Sequence, residues 1–459
     1  MLVKELRQGL RAKTFIAVFL ALQVLLAIML LSASASTSSD QAGSVVSAMI
    51  FTFFSIAVLI VQPMRGLTVL SSEIKSNTID MMVLTRLSAW RIVFGKWIAI
   101  VSQSALIVLT IIPYLILRYF FGGMNLVGEI VFLTLLFLTS MVLTAITVGL
   151  SASSSTIVRA VVPLLGAPAL FIGAIALSMS RGSGNFIEMS SLDSKESIVA
   201  VSIYIISIIY LGWSALTLGA SLIAPAAENH STPRRLITLV LMLCLIPFIL
   251  YSSIHEQALA VILFLLVVPA IMLALTESNR LLPIVHLSWI KSPPLRSIIG
   301  LAFNPGLASG IVFTMIVGIL AVGIAFLHPA TANNIETLIY IHATIGALLL
   351  PAVIQSFFFN GEGQRVSNYL LFLLGTWVLA LVLSGLTSAT SNRSFLWLFI
   401  WNPFVVWLMA QYSEFSKLDL LTSIVVVDII LMLLLLFKSI QIINAKNAII
   451  LEAKRHTAI

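Results

Sequence analysis

Val127 to Leu150 reads VGEIVFLTLLFLTSMVLTAITVGL, 24 residues with a single charge, Glu129, near the start. A helix rises about 1.5 Å per residue and a bilayer's hydrocarbon core is about 30 Å thick, so this stretch is long enough to cross. Lipid offers no water to backbone N–H and C=O groups, so a crossing segment of this kind is helical. Glu129, at the outer end of the run, is expected to reach water.

Comparable stretches recur along the chain. They are Thr14–Leu31, Gly43–Gln62, Ile92–Leu117, Ile157–Met179 and Ile198–Ala224, then Leu236–Leu250, Ala258–Thr276, Leu307–Leu327, Thr337–Phe359, Tyr369–Thr387, Phe395–Met409 and Leu421–Phe437. With 60% hydrophobic and 9% charged residues, a soluble domain would lack the polar surface to stay dissolved. The fold class is therefore an all-α polytopic membrane protein with 12–13 hydrophobic segments. Leu236–Leu250 and Phe395–Met409 are short for a crossing.

Cations orient the spans. With a cytoplasmic N-terminus, the inner segments collect Lys4, Arg7, Arg11, Lys13, Arg65, Lys75, Arg86, Arg91, Lys96, Arg159, Arg234, Arg235, Arg280, Lys291, Arg296, Arg365 and Lys417. The outer ones hold Arg118, Arg181, Lys195 and Arg393, seventeen against four. Positive residues favour the cytoplasmic side, so this orientation is expected. Thirteen crossings would then put Lys438, Lys446, Lys454 and Arg455 outside, against the rule. Twelve bring them in if one short segment enters and leaves by one face. Phe395–Met409 is the candidate, since Trp397, Trp401 and Trp407 suit an interface and Asn402-Pro403 interrupts the helical bonding. The net charge of +8 follows from this loop bias, and with no basic helix or aromatic ladder a nucleic-acid partner is not expected.

Two inner-face stretches stand out. In MLVKELRQGLRAK, residues 1–13, Leu2, Leu6 and Leu10 recur four apart with Lys4, Arg7 and Arg11 on the other faces, the pattern of a helix lying on the membrane surface. From Gln62 to Trp97 the chain reads QPMRGLTVLSSEIKSNTIDMMVLTRLSAWRIVFGKW. Pro63 and Gly66 are placed to break the preceding span, and Asn77 with Asp80 resembles a helix start. Ile79, Met82 or Val83, Leu87 and Trp90 then recur near one face.

These two stretches resemble the membrane subunit of ABC-2-type transporters, particularly bacterial export permeases. Lys4-Glu5-Leu6-Arg7-Gln8 is similar to the KELRQ-like surface helix at the start of those proteins. Their loop before the third span typically reads GE-x-E-x-GTLE-x-L-x-x-TPLS-x-x-x-I-x-x-GK. Glu73 stands at its acidic position, Asn77-Thr78-Ile79-Asp80 at GTLE, Thr85-Arg86-Leu87-Ser88 at TPLS, and Ile92 with Gly95-Lys96 completes the match. The glycine and the proline of the pattern are missing, at Asn77 and Arg86. The resemblance covers about residues 1–225. It implies an amphipathic inner-face helix (1–13), a six-span ABC-2-like domain (14–225) with a coupling loop at 63–96, and a further region (226–459) of six or seven apolar segments. It also implies a cytoplasmic ABC ATPase partner. Toward that partner Glu73, Asp80 and Arg86 would offer polar contacts, and Ile79, Met82 and Leu87 apolar ones. A homodimer, or pairing with a related permease chain, would complete the pathway in a bacterial plasma (inner) membrane.

This chain lacks G-x-x-x-x-G-K-[ST] and H-E-x-x-H, and its six histidines form no local metal cluster. It is expected to be no enzyme and to hold no cofactor, with ATP-Mg on the partner. Asp428 lies deep in the last apolar run, where translocon scales put an unpaired Asp at about 2.5–3.5 kcal/mol against insertion, so an inward face or a partner is expected. His342 is the candidate partner, and the pair is read either as a structural hydrogen bond or as a proton- or cation-coupling site. Three functions remain: the permease subunit of an ATP-driven exporter, an ion-coupled secondary transporter, and a non-transporting scaffold that recruits an ATPase.

Overall fold

The computed structural model describes residues 6–7, 9–35, 50–77, 88–119, 126–153, 155–159, 195–225, 228–251, 256–277, 300–327, 335–359, 365–388, 393–410, 412 and 414–457. Every regular element among them is helical. Among the described residues nine helices are long and apolar enough to cross a membrane, and Phe15–Ile28 and Leu259–Leu275 are shorter apolar ones. Most of the expected span Ile157–Met179 lies outside the described residues. The chain divides into two compact units, Met1–Ile223 and Ala224–Ile459.

Unit 1 contains α1 (Lys13–Ala35), α2 (Ile50–Lys75), α3 (Ala89–Tyr119), α4 (Leu126–Leu150) and α5 (Lys195–Ile223). α4 is central and packs on α2, α3 and α5. Leu26, Phe54, Ile107, Ile111 and Leu143 meet in the core. Two glycines let α4 and α5 touch through their backbones. A Cβ on Gly149 would lie 2.1 Å from the Ala215 carbonyl oxygen. Small residues allow such approaches where lipid supplies no hydrophobic drive.

Pro63 does not end α2, contrary to the sequence expectation. Proline lacks an N–H and its ring clashes with the carbonyl four residues back, so a regular α-turn cannot precede it. The helix widens into a π-turn over Ile56–Val61, where the Gln62 N–H bonds Ala57 O. It then tightens to a 3-10 turn over Arg65–Thr68 and runs on to Lys75. The Ser140 hydroxyl of α4 donates to the Val58 carbonyl at 2.7 Å, within the widened turn. Glu129 is another departure: only 1% exposed, it is buried in the unit instead of reaching water.

Unit 2 contains α6 (Ser231–Tyr251), α7 (Glu256–Leu275), α8 (Leu307–Leu327), α9 (Ile335–Phe358) and α10 (Arg365–Ser388). A 3-10 turn (Arg393–Phe399), α11 (Pro403–Ala410) and α12 (Lys417–Thr457) follow. The short run Leu236–Leu250 gains length from its polar flank. Asn229 Oδ1 accepts from the Ser231 and Thr232 N–H groups at 3.1 and 3.3 Å, capping a helix that starts at Ser231.

α9 is the most buried of the spans, with α12 alongside it. The two run parallel. Glu336 meets Lys417 at their starts (2.5 Å), His342 meets Asp428 further along, and Lys438 Nζ lies 5.6 Å from the Phe357 ring near the far end. Arg365, just beyond that far end, donates to the Glu277 carbonyl at 3.3 Å, beside Arg235. Unit 2 therefore has an Arg235 end and a Lys417 end. α10 leaves the first and finishes at the second, where α12 begins, so residues 393–410 enter and leave the bundle by the Lys417 end. That segment is not a crossing. Its two helical pieces are separated by turns at Ile400–Asn402, and Asn402 Oδ1 caps α11 by accepting the Phe404 N–H at 2.9 Å. Lys417 and Arg365, both expected on the inner side, are at opposite ends.

Candidate functional site

The first candidate region is the exit of α2. Asn77 adopts φ 55°, the left-handed region, and its N–H bonds Ile74 O at 3.1 Å, closing the helix behind it. Glycine is the usual residue at such a helix end and asparagine the next best. Asn77 thus terminates α2; the helix expected to start from Asn77 and Asp80 lies outside the described residues. Glu73, in the last turn of α2, reaches Lys96 of α3 at 2.9 Å, with Lys96 only 5% exposed. The Leu70 N–H donates to Ser151 Oγ at the end of α4 (3.1 Å), and Trp97 Nε1 donates to Met141 O (2.9 Å). These contacts tie α2, α3 and α4 together, α2 and α3 being the helices that flank residues 78–87 in sequence. Asp80, Arg86, Ile79, Met82 and Leu87 lie outside the described residues.

The second region is half-way along unit 2. His342 Nδ1 and Asp428 Oδ2 are 2.9 Å apart, with side chains 17% and 10% exposed. Gly346, one turn beyond His342, makes room for the carboxylate, since a Cβ there would lie 2.7 Å from Asp428 Oδ1. The same Cβ would lie 3.4 Å from Cβ of Trp401, in the turn of the 393–410 segment. Asp428 Oδ1 and Asn402 Nδ2 are buried with no hydrogen-bond partner among the described residues. A cavity of about 200 Å³ adjoins the same turn, lined by Phe264, Val267, Tyr340, Thr344 and Pro403, and is almost wholly apolar.

A third cluster escaped the sequence reading, which used Arg234 and Arg235 only for orientation. Arg235, 2% exposed, bonds Glu277 Oε2 (2.5 Å), the carbonyls of Ala302 (2.5 Å), Asn304 (3.0 Å) and Gly306 (3.2 Å), and Ser309 Oγ (3.1 Å). Glu277 Oε2 also accepts the Gly306 N–H at 2.9 Å, and Gly306 has φ 124°, which favours glycine. Arg234 completes the set, 3.7 Å from Glu277 Oε1. A buried guanidinium with this many acceptors is a structural knot joining α6, α7 and α8. The sequence signal was an Arg pair opening one apolar run and a Glu closing the next.

Comparison with family models, with curated proteins and with solved structures gives no match to this chain. By its fold the protein is a multi-pass α-helical membrane protein, of a build consistent with transport.

Proposed function

We propose that the chain is the membrane-spanning permease subunit of an ATP-driven ABC exporter, coupled through the 63–96 loop to a separate cytoplasmic ATPase. The observation that carries this reading is the anchored exit of α2. The Glu73–Lys96 pair joins it to α3, and the Leu70–Ser151 bond joins it to α4. Force delivered to the end of α2 is therefore shared with α3 and α4. The left-handed φ at Asn77 adds support, because the ABC-2 pattern carries glycine at that position. ATP-Mg binds the partner in this reading, and a second permease, identical or related, completes the pathway. The Arg235 end of unit 2 and the N-terminus face the cytoplasm of a bacterial cell, as their cations require.

Co-purification with an ABC ATPase and reconstituted ATP-dependent flux test the proposal. Asp80→Ala and Arg86→Ala should each weaken ATPase association about tenfold, as loss of a modest interface contact does. Unchanged association and unchanged ATPase stimulation after loss of residues 78–87 would overturn it. A proton-coupled transporter is the second reading, favoured by the His342–Asp428 pair. Flux driven by a proton gradient without any ATPase would select it.

A further inference from the structure

We infer that unit 2 holds a proton-binding site midway along the bundle, formed by His342 and Asp428 where the turn at Trp401–Asn402 meets α9. The inference stands apart from the ATPase reading, because it concerns unit 2 alone. Three observations carry it. The imidazole and carboxylate share one hydrogen bond of 2.9 Å, so a proton can reside on either partner without rearrangement. Asp428 Oδ1, the other carboxylate oxygen, is buried and has no partner among the described residues. Asn402, fully buried, commits Oδ1 to the cap of α11 and so presents Nδ2, a donor, with no acceptor. Each buried unpaired group costs about 1–3 kcal/mol. Small residues do the rest: Gly346 leaves the carboxylate its space.

The chemistry selects the ligand. A metal ion needs several oxygen or nitrogen donors. Among the described residues one carboxylate oxygen has no partner, the other is taken by His342, and the spare amide group of Asn402 is an N–H donor. A proton needs only the pair. Without it the neutral imidazole and the carboxylate carry one negative charge, and uptake of one proton makes the pair neutral, the state a low-dielectric interior favours. With Nδ1–H of the neutral imidazole already donating to Oδ2, the proton taken up rests on Oδ1, the carboxylate oxygen without a partner among the described residues, and makes Asp428 a carboxylic acid.

Few other charges compete on the surrounding elements. α8 and α11 carry no titratable side chain. On α9 the remaining groups are Tyr340 and Glu336; on α12 as far as Asn444 they are Lys417, which pairs with Glu336, Asp419, and Lys438 beside Phe357, and its last turns add Lys446, Glu452, Lys454, Arg455 and His456. Arg393 opens the 3-10 turn, and Glu256 opens α7. On α10, Arg365 lies at the Arg235 end and Tyr369 donates to the Leu348 carbonyl.

The test is pH-difference infrared spectroscopy on the full chain in phospholipid vesicles, with no ATPase present. The wild type should show a carboxylic-acid C=O band that titrates, and Asp428→Asn should lose it. His342→Gln should move its midpoint by about one pH unit or more, the usual effect of removing a charge partner within hydrogen-bond reach. Glu336→Gln, at the exposed end of the same helix, should leave the band unchanged. A wild type without such a band overturns the inference, as does an Asp428→Asn spectrum identical to the wild type or a His342→Gln midpoint that does not move. If Asp428→Asn fails to fold, the wild-type band and the His342→Gln midpoint decide the matter. Failure here leaves the ATPase-coupling proposal standing, since neither measurement involves residues 63–96.

Discussion

Arg235 is one of the largest fully buried side chains of the protein, and its charge is balanced by Glu277. Removing one partner of a buried ion pair leaves the other charged and uncompensated, which costs about 3–5 kcal/mol. Glu277→Ala should therefore lower stability by that order in thermal or denaturant unfolding in detergent micelles. Glu336→Ala removes a pair whose side chains are 40–50% exposed, and such pairs are worth about 0–1 kcal/mol. The contrast between the two variants is the prediction. Equal, small losses would mean that the carbonyls of Ala302, Asn304 and Gly306 suffice to hold the guanidinium. His342 and Asp428 form a second polar pair in this unit, and each pair includes a buried atom without a partner among the described residues, Arg235 Nε in one and Asp428 Oδ1 in the other.

At the scale of elements, glycine contacts set how closely helices approach. A Cβ at Gly149 would press on the Ala215 carbonyl, which is backbone and cannot swing aside. Gly149→Ala should cost about 1–3 kcal/mol, the usual penalty of overpacking, through separation of α4 from α5. Gly95, on α3, has nothing within 4 Å of an added Cβ. Gly95→Ala should be neutral or stabilise by up to about 1 kcal/mol from helix propensity. Unfolding curves of both variants check the pair of statements. α2 shows a related effect of local chemistry meeting packing. Pro63 marks an irregularity that can be read from sequence. Whether the chain breaks there depends on whether a neighbour satisfies the freed groups, and Ser140 of α4 supplies a donor to that widened turn.

At the scale of the molecule, the course of residues 393–410 decides on which side the chain finishes. If that segment returns to its own end, Ser394 and Asp419 share one face of the membrane and Asn444 is at the other. Cys244 is the only cysteine, so a Cys244→Ser background permits single-site labelling. Ser394→Cys and Asp419→Cys should react with an impermeant thiol reagent from one side, and Asn444→Cys from the other. In intact cells Asn444→Cys should be protected, given a cytoplasmic Arg235 end. Labelling of Asp419→Cys and Asn444→Cys from one face would show that α12 does not cross. The apolar runs and the bias of cations between them were enough, by themselves, to establish helices that span a membrane, because lipid leaves the backbone no other way to satisfy its polar groups. The sequence offers Phe395–Met409 as the run that does not cross and His342 as a partner for Asp428, whereas where Lys417 lies, how α2 passes Pro63, and what faces Glu129 and Arg235 were left to tertiary structure. Hydropathy is a property of each segment alone, whereas these outcomes depend on which helix stands beside it and which polar atom that neighbour brings within reach.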